Sequence, residues 1–533
     1  MTGTYLKITE SRIRDRSQTG KTKWTPLSTT QNAAELVADV AITWESGAMV
    51  SNAESNVNPD RETKQPRLVL CFDGTWNTSR SNTNVSRFFS LVADRALGCP
   101  HQRKFYDEGV GTRWRDRLVG GMLGMGLDEN IREGYAWLST EYPANDPLAI
   151  ERDKVEAIEQ DYVDHAALYF FGFSRGAFTA RSLVGLVNYI GIPRIPAIET
   201  SSTGSKQLAE NQTILDAWNL YQTRPLVDED GKPLAGTEAA HKAHEERLRD
   251  FRTKYQCHYP VRIHFIGVWD TVGALGIPRV FDVDLLAPLR PSSKYRFHST
   301  DFCRSVRWGF HAVAIDEHRR PYLATLWTKW DNRHNRGIEQ RWFVGAHANV
   351  GGGYPHDLLP APPLKWLADR GALCGLDFVN DRNEADATGT VRPYLSRAPA
   401  RFDLDGTEFR APVRDSYAEF LFGTYRVLRS IPFIGGGRVF RRMLVDTDGL
   451  EQTVDPTAFA KWQLDPGYRP TNLGQAGRRD SGASLVEDAR VEAMDQAAAL
   501  SGSIAGGAAS GFLPPKDLLF RGPPPEGSSG VTT

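Results

Sequence analysis

The sequence predicts an α/β protein: a mostly parallel sheet with helices on both faces, elaborated by insertions. Three observations predict it. Short apolar runs at Arg67–Phe72, Ala166–Phe171, Val261–Trp269 and Arg341–Val344 have the length and composition of strands buried on both faces. Segments with helical spacing of apolar residues lie between them, as at Ala177, Ala180, Val184 and Val187. Each run ends in a loop carrying glycine or a titratable side chain, where open α/β sheets build their sites.

Composition sets the outer bounds. A chain of 533 residues has ample length for a large core, read as one domain with insertions rather than three separate units. With 64 basic and 65 acidic residues the net charge is −1, so no global field recruits nucleic acid. The cysteines at 71, 99, 257, 303 and 374 are scattered without C-x-x-C spacing, and an odd number leaves at least one without an intramolecular partner. A reducing compartment of synthesis, the cytoplasm, is the simpler reading. The N-terminus lacks the tripartite form of a signal peptide, and no run of about 18 apolar residues could span a bilayer. Action outside the cell's own cytoplasm would then need another route.

Along the chain, residues 1–65 are polar and rich in Thr, Ser, Asn and Lys, and are expected to form a mobile leader or adaptor-binding arm. The first strand, Arg67–Phe72, delivers the loop Asp73-Gly74-Thr75-Trp76-Asn77. Between residues 113 and 128 the stretch WRDRLVGGMLGMGL is either a lid over an apolar pocket or a glycine-packed loop, and a helix follows near 128–141. Insertions are expected at about 141–164, 196–250 and 380–450. The second begins as a Ser/Thr/Gly linker, becomes helical at Ile214, Ala217, Trp218 and Tyr221, and continues into the charged AAHKAHEERLRDF, a solvated helix face. Leu364, Leu367 and Ala368 mark a later helix. The stretch FLFGTYRVLRSIPFIGGGRVFRRML at 420–444 mixes apolar groups with arginines and contains no acid, which suits either a membrane interface or ordinary core. Residues 476–533 are a Gly/Ala/Pro/Ser-rich tail unable to bury enough surface to order.

The chemistry is expected around Ser174. It lies in Gly172-Phe173-Ser174-Arg175-Gly176, and with 48 glycines in the chain that pattern is weak by itself. Its context is a strand before it and a helix after it, the setting of a nucleophile elbow, in which small neighbours let a strained backbone push the hydroxyl into the open. The alternative is a glycine turn of any α/β sheet.

A serine hydroxyl needs a base, and the base an orienting carboxylate. Asp270 ends the run Val261–Trp269, and His347 follows Arg341–Val344 at the head of a glycine-rich loop, in the order Ser, Asp, His of α/β-hydrolases. Asp270 can instead cap a helix, and His347 can be a structural histidine. His318 is the rival base, placed in a charged cluster beyond a segment read as helix, while His264 and His311 lie within regular elements. An oxyanion needs two donors, read as the Arg175 N–H and one from Gly74 or Thr75. Asp73 can bind a metal, brace this loop or form an Asx-turn.

Six ordered segments, FDGTWN at 72–77, GLDENI at 126–131, FGFSRGAFTAR at 171–181, GVWDTVGALGIP at 267–278, AIDEHR at 314–319 and GAHANVGGGY at 345–354, carry a resemblance over roughly 66–475. The chain resembles the Tle-type hydrolases, the type VI secretion phospholipase effectors first described as an uncharacterised conserved domain. The resemblance implies an α/β-hydrolase fold and a triad of Ser174, Asp270 and His347. It also implies cleavage of phospholipid esters, a chemistry that requires no metal or cofactor, together with a secretion carrier, an immunity protein and delivery to a target cell's periplasm. Membrane-surface contact is expected of the 420–444 stretch. The chain departs from the usual pattern at 141–164 and 196–250, which bears on substrate and delivery more than on chemistry. The alternatives are a hydrolase of soluble or polymeric esters and a non-catalytic binding protein that keeps the fold.

Overall fold

In a computed structural model the chain is described at residues 65–74, 81–109, 126–143, 165–195, 209–225, 232–273, 302–328, 335–380, 393–395, 408–419 and 451–470, with single positions at 207, 227 and 391. The N-terminal arm, the glycine-rich stretch before residue 126, the 420–444 segment, the tail and Thr75 lie outside these residues.

Seven strands form one sheet: β1 (Arg67–Phe72), β2 (Gln102–Asp107), β3 (Ala167–Phe173), β4 (Ile263–Trp269), β5 (Val306–Ala314), β6 (Gly337–Phe343) and β9 (Glu451–Val454). Their spatial order is β2-β1-β3-β4-β5-β6-β9, and every pairing is parallel. The sheet therefore belongs to the α/β class that the apolar runs predict. A hairpin of β7 (Phe378–Val379) and β8 (Tyr394–Leu395) stands apart from it.

Alternation along the strands divides the core in two. Leu68, Leu70 and Phe72 of β1 and Leu168 and Phe170 of β3 face α2 (Leu127–Glu141), α3 (Arg175–Ile190), α4 (Gln212–Gln222) and α5 (Glu238–Lys254). Val69, Cys71, Phe171, Phe173 and Trp269 face α1 (Asn84–Leu91) and α7 (Ala361–Leu373). At the β6–β9 edge a third cluster joins Val313, Trp342 and Val454 to Ala458 and Trp462 of α8 (Pro456–Leu464). The charged segment forms α5, which buries His244, Leu248 and Phe251 and exposes most of the rest, as expected of a solvated face. All five cysteines are free thiols. No helix among the described residues is long and apolar enough to cross a membrane.

One expected element changes type. The segment before His318, read as helix, is β5, buried between β4 and β6. A continuous apolar run buried on all sides has no diagnostic period, so spacing alone cannot separate a central strand from a core helix.

The order β2-β1-β3 places the site. The chain leaves β1 toward β2 and later returns to β1's other side as β3, so the loops after β1 and β3 diverge at their carboxyl ends and leave a crevice. Asp73 opens one of these loops and Ser174 the other.

Candidate active site

Ser174 sits between β3 and α3 with φ 59° and ψ −122°, a positive-φ conformation that residues carrying a Cβ rarely adopt. Both flanking glycines have a steric reason. A Cβ at Gly172 would meet the Gly176 carbonyl oxygen at 2.5 Å, and one at Gly176 would collide with the Phe72 and Asp73 carbonyl oxygens. The elbow thus requires the helix to start against both its own strand and the end of β1. The Ser174 N–H donates to the Trp269 carbonyl (3.1 Å), tying the turn to the end of β4.

Asp270 follows β4, also at positive φ (40°), and is fully buried. Its N–H donates to the Ala312 carbonyl at 2.7 Å, and its Oδ1 accepts from the Ala314 N–H at 3.0 Å. The next residue is braced as well: the Thr271 N–H donates to His311 Nε2 (3.1 Å), while His311 Nδ1 faces Gln340 Oε1 (3.4 Å). An acceptor at Nε2 and an amide oxygen at Nδ1 fit a neutral His311 with its proton on Nδ1.

His347 opens the short helix α6 (His347–Gly351) after β6. Its Nε2 lies 2.8 Å from Ser174 Oγ, and its Nδ1 lies 2.6 Å from Asp270 Oδ2. The structure thus brings Ser174, Asp270 and His347 into one hydrogen-bonded line, with each carboxylate and hydroxyl on a different ring nitrogen. Phe173 covers one side of the imidazole, with centroids 4.7 Å apart, and Tyr322 meets it edge-on at 4.9 Å. Burial lowers the His347 pKa below the ordinary imidazole value, and Asp270 opposes without reversing it. A lowered pKa favours the neutral ring, the form able to accept a proton.

Where the elbow pattern predicts an open hydroxyl, Ser174 is only 7% exposed. The imidazole and the rings around it take up the space that an open turn would leave to solvent.

The loop after β1 is organised around Asp73. This buried carboxylate accepts from the Gly74 N–H (2.6 Å), the Thr83 hydroxyl (2.6 Å) and the Tyr106 hydroxyl (2.6 Å). With three neutral donors on it, Asp73 reads as the brace of this loop rather than as a metal ligand. The Gly74 N–H that sequence reasoning offers to an oxyanion is engaged with Asp73 here. Arg175 opens α3, so its N–H belongs to the helix's first turn, where the dipole favours negative charge.

His318 is half-buried and does not take the base position. Its neighbours carry what sequence reasoning missed. Asp316 accepts from the Gly345 N–H (2.7 Å), and Glu317 accepts from the His347 N–H (3.2 Å). The AIDEHR segment thus holds both ends of the histidine turn, and three titratable residues directly after a strand are the signal that could have pointed to it. Asn349 completes the turn by accepting from the Ala346 N–H at 2.9 Å.

Among the described residues, one group has metal-ligand types close together: Cys99, His101 and Asp377. It lies at the amino ends of β1 and β2, away from Ser174, and Asp377 Oδ2 already pairs with Arg67 (2.7 Å) and His101 (2.9 Å). A cavity of about 180 Å3 runs along α3, lined by Phe178, Tyr221, Phe302 and Trp327 among others, and none of Ser174, Asp270 and His347 lines it.

The family described as T6SS, Phospholipase effector Tle1-like, catalytic domain matches residues 66–370, more than half of the chain. The chain belongs to this family. Its matched region contains all three residues of the hydrogen-bonded line and the Asp73 loop. An uncharacterized protein of Saccharomyces cerevisiae, YEL023C, is 24% identical over 296 residues, 52% of this chain and 35% of the yeast protein. The chain thus spans about a third of the length of that curated relative. A crystal structure of an uncharacterized protein from Pseudomonas aeruginosa aligns over 92% of this chain and 69% of its own, with 16% identity and a TM-score of 0.34.

Proposed function

We propose that the protein is a serine esterase that hydrolyses acyl ester bonds of phospholipids through Ser174, His347 and Asp270. The observation that carries this reading is the pair of contacts to one imidazole, 2.8 Å to Ser174 Oγ and 2.6 Å to Asp270 Oδ2. In this mechanism His347 takes the Ser174 proton as the oxygen attacks the acyl carbonyl, and Asp270 holds the Nδ1–H tautomer and stabilises the imidazolium. The Arg175 N–H receives the developing oxyanion at the start of α3, and each such donor is worth about 3–4 kcal/mol. The imidazolium then gives its proton to the leaving glycerol oxygen. Water, deprotonated by the same imidazole, releases the fatty acid from Ser174. A second oxyanion donor comes from the 73–75 loop if the Gly74 N–H turns from Asp73 on substrate binding.

Membership in a phospholipase effector family supports a lipid substrate. In the same reading, residues 66–475 form the catalytic unit between the polar arm and the low-complexity tail. The protein acts as an antibacterial effector with a secretion carrier and an immunity partner, and reaches a target cell's periplasm by that apparatus.

The test compares fatty-acid release from phosphatidylethanolamine/phosphatidylglycerol vesicles with hydrolysis of a soluble short-chain ester. Wild type is expected to act on both, with the vesicles favoured, and Ser174→Ala on neither. Wild-type activity on the soluble ester alone would contradict the lipid assignment. Activity that survives Ser174→Ala would contradict the mechanism.

A further inference from the structure

Glu317 lies three residues past the end of β5, and its side chain is completely buried. Removing a carboxylate from water costs several kcal/mol, and a buried ion pair seldom recovers more than that cost. Stability alone is therefore a poor reason for this pair. What the pair does is visible in its bonds. Arg319 donates its backbone N–H (2.7 Å) and Nε (2.9 Å) to Glu317 Oε1, and its Nη2 (2.7 Å) to Oε2. So held, Oε2 also accepts from the His347 N–H at 3.2 Å and the Ser416 hydroxyl at 3.2 Å. The His347 N–H is a first-turn amide with no acceptor in its own helix, so a carboxylate from a neighbouring strand-end loop fixes where α6 begins. From its other side the Arg319 guanidinium lies 3.7 Å from the centroid of the Tyr322 ring, which in turn meets the His347 imidazole edge-on.

We propose that Glu317 and Arg319 are positioning residues for His347: Glu317 fixes its backbone, and Arg319, through Tyr322, fixes its ring. The proposal rests on Ser174, Asp270 and His347 acting as described above. The bonds of the His347 ring to Ser174 and Asp270 are directional, and a displacement of about 1 Å in such a group can cost on the order of 100-fold in rate.

The charged or titratable groups facing this imidazole are Asp270 from the end of β4, Glu317 and Arg319 from the loop after β5, and Tyr322 from the turn that follows. Burial has the largest influence and lowers the His347 pKa. Asp270 and Glu317 raise it, and Arg319 lowers it. The two members of the pair thus pull the imidazole in opposite directions.

The experiment measures kcat and KM on a soluble ester across pH for Glu317→Gln, Arg319→Met, Arg319→Lys and the double variant Glu317→Gln/Arg319→Met. Rates are expressed per competent site, counted by a serine-reactive phosphonate taken to completion, so that unfolded protein does not enter. Expected for Glu317→Gln is a fall in kcat of about 10- to 100-fold with little change in KM. Its acid limb in kcat/KM should move to lower pH, because a charge that favours the imidazolium is gone. Arg319→Met should move the limb to higher pH, and the double variant should return it toward wild type while kcat stays low. Arg319→Lys keeps the charge but loses the planar fork, so kcat should fall with the limb unmoved. Unchanged kcat per site in Glu317→Gln, or limbs that move the same way in both single variants, would overturn the proposal. If Ser174→Ala is inactive while these variants match wild type, the triad stands and this assignment fails. If Ser174→Ala is active, the triad itself fails.

Discussion

The half of the sheet that delivers Ser174 and the half that delivers His347 are equally buried but are held by different forces. In β1, β3 and β4 the interior is Leu68, Leu70, Phe72, Phe170, Phe171, Phe265 and Trp269, and Ser174 is set by close backbone contact at Gly172 and Gly176. In β6 and β9 the buried positions include Glu339, Gln340, Arg341, Gln452 and Thr453. There Glu339 pairs with Arg341 (2.6 Å) and Arg370 (3.1 Å) and accepts from the Thr453 hydroxyl (2.8 Å). The contrast suits the two proposed roles. A nucleophile on a strained turn needs only a rigid backbone beneath it, which apolar close packing supplies. An imidazole must be aimed at two partners at once, and directional bonds set angles that dispersion contacts leave loose.

Breaking the polar half should have the larger effect. Glu339→Gln leaves Arg341 and Arg370 buried without their shared carboxylate, and is expected to cost about 3–5 kcal/mol of folding stability at neutral pH. Burial pushes the Glu339 carboxyl up, but Arg341 and Arg370 more than offset it, and it stays below its ordinary value of 4.5. A folded-state pKa below the unfolded one gives stability that is complete above that ordinary value and fades as pH falls through the folded pKa. The gap in melting temperature between wild type and Glu339→Gln should therefore narrow only below about pH 4.5. A constant gap down to pH 3 would mean that packing, not charge, holds β6.

The apolar half should respond to shape instead. Gly176→Ala gains about 1 kcal/mol of helix propensity but drives a methyl into the Phe72 and Asp73 carbonyls. Overpacking of this kind costs about 1–3 kcal/mol, with backbone on both sides leaving little room to yield, so a net loss of about 2 kcal/mol is expected by thermal melts, with no pH dependence. A stabilised Gly176→Ala would mean that the turn is not close-packed against β1.

The same contrast explains what was legible in the sequence. The apolar runs gave β1, β3 and β4 nearly to the residue, and their strand-end loops pointed to Asp73, Ser174 and Asp270. β6 was legible only from Arg341 onward, because Glu339 and Gln340 look like loop until their ion pairs and amide bonds are in place. β9 has the same composition and gave no signal, and β5 looked like a core helix. The charged cluster around His318 is a salt-bridged turn of Glu317 and Arg319, but nothing in its spacing shows that one of that turn's acceptors reaches the His347 amide 30 residues on. The Asp73 carboxylate likewise met its Tyr106 donor only through the β1–β2 pairing.

The most direct measurement is the rate at which a fluorophosphonate forms a covalent adduct on Ser174, located by peptide mass spectrometry, in wild type and in Asp270→Asn. The reagent needs only an activated hydroxyl, so neither lipid binding nor product release enters. If His347 is the base and Asp270 sets its tautomer, wild type labels stoichiometrically at Ser174, and Asp270→Asn labels on the order of 10,000-fold more slowly while folding normally. No adduct on Ser174 in the folded wild type, or equal labelling rates in the two proteins, would contradict the account.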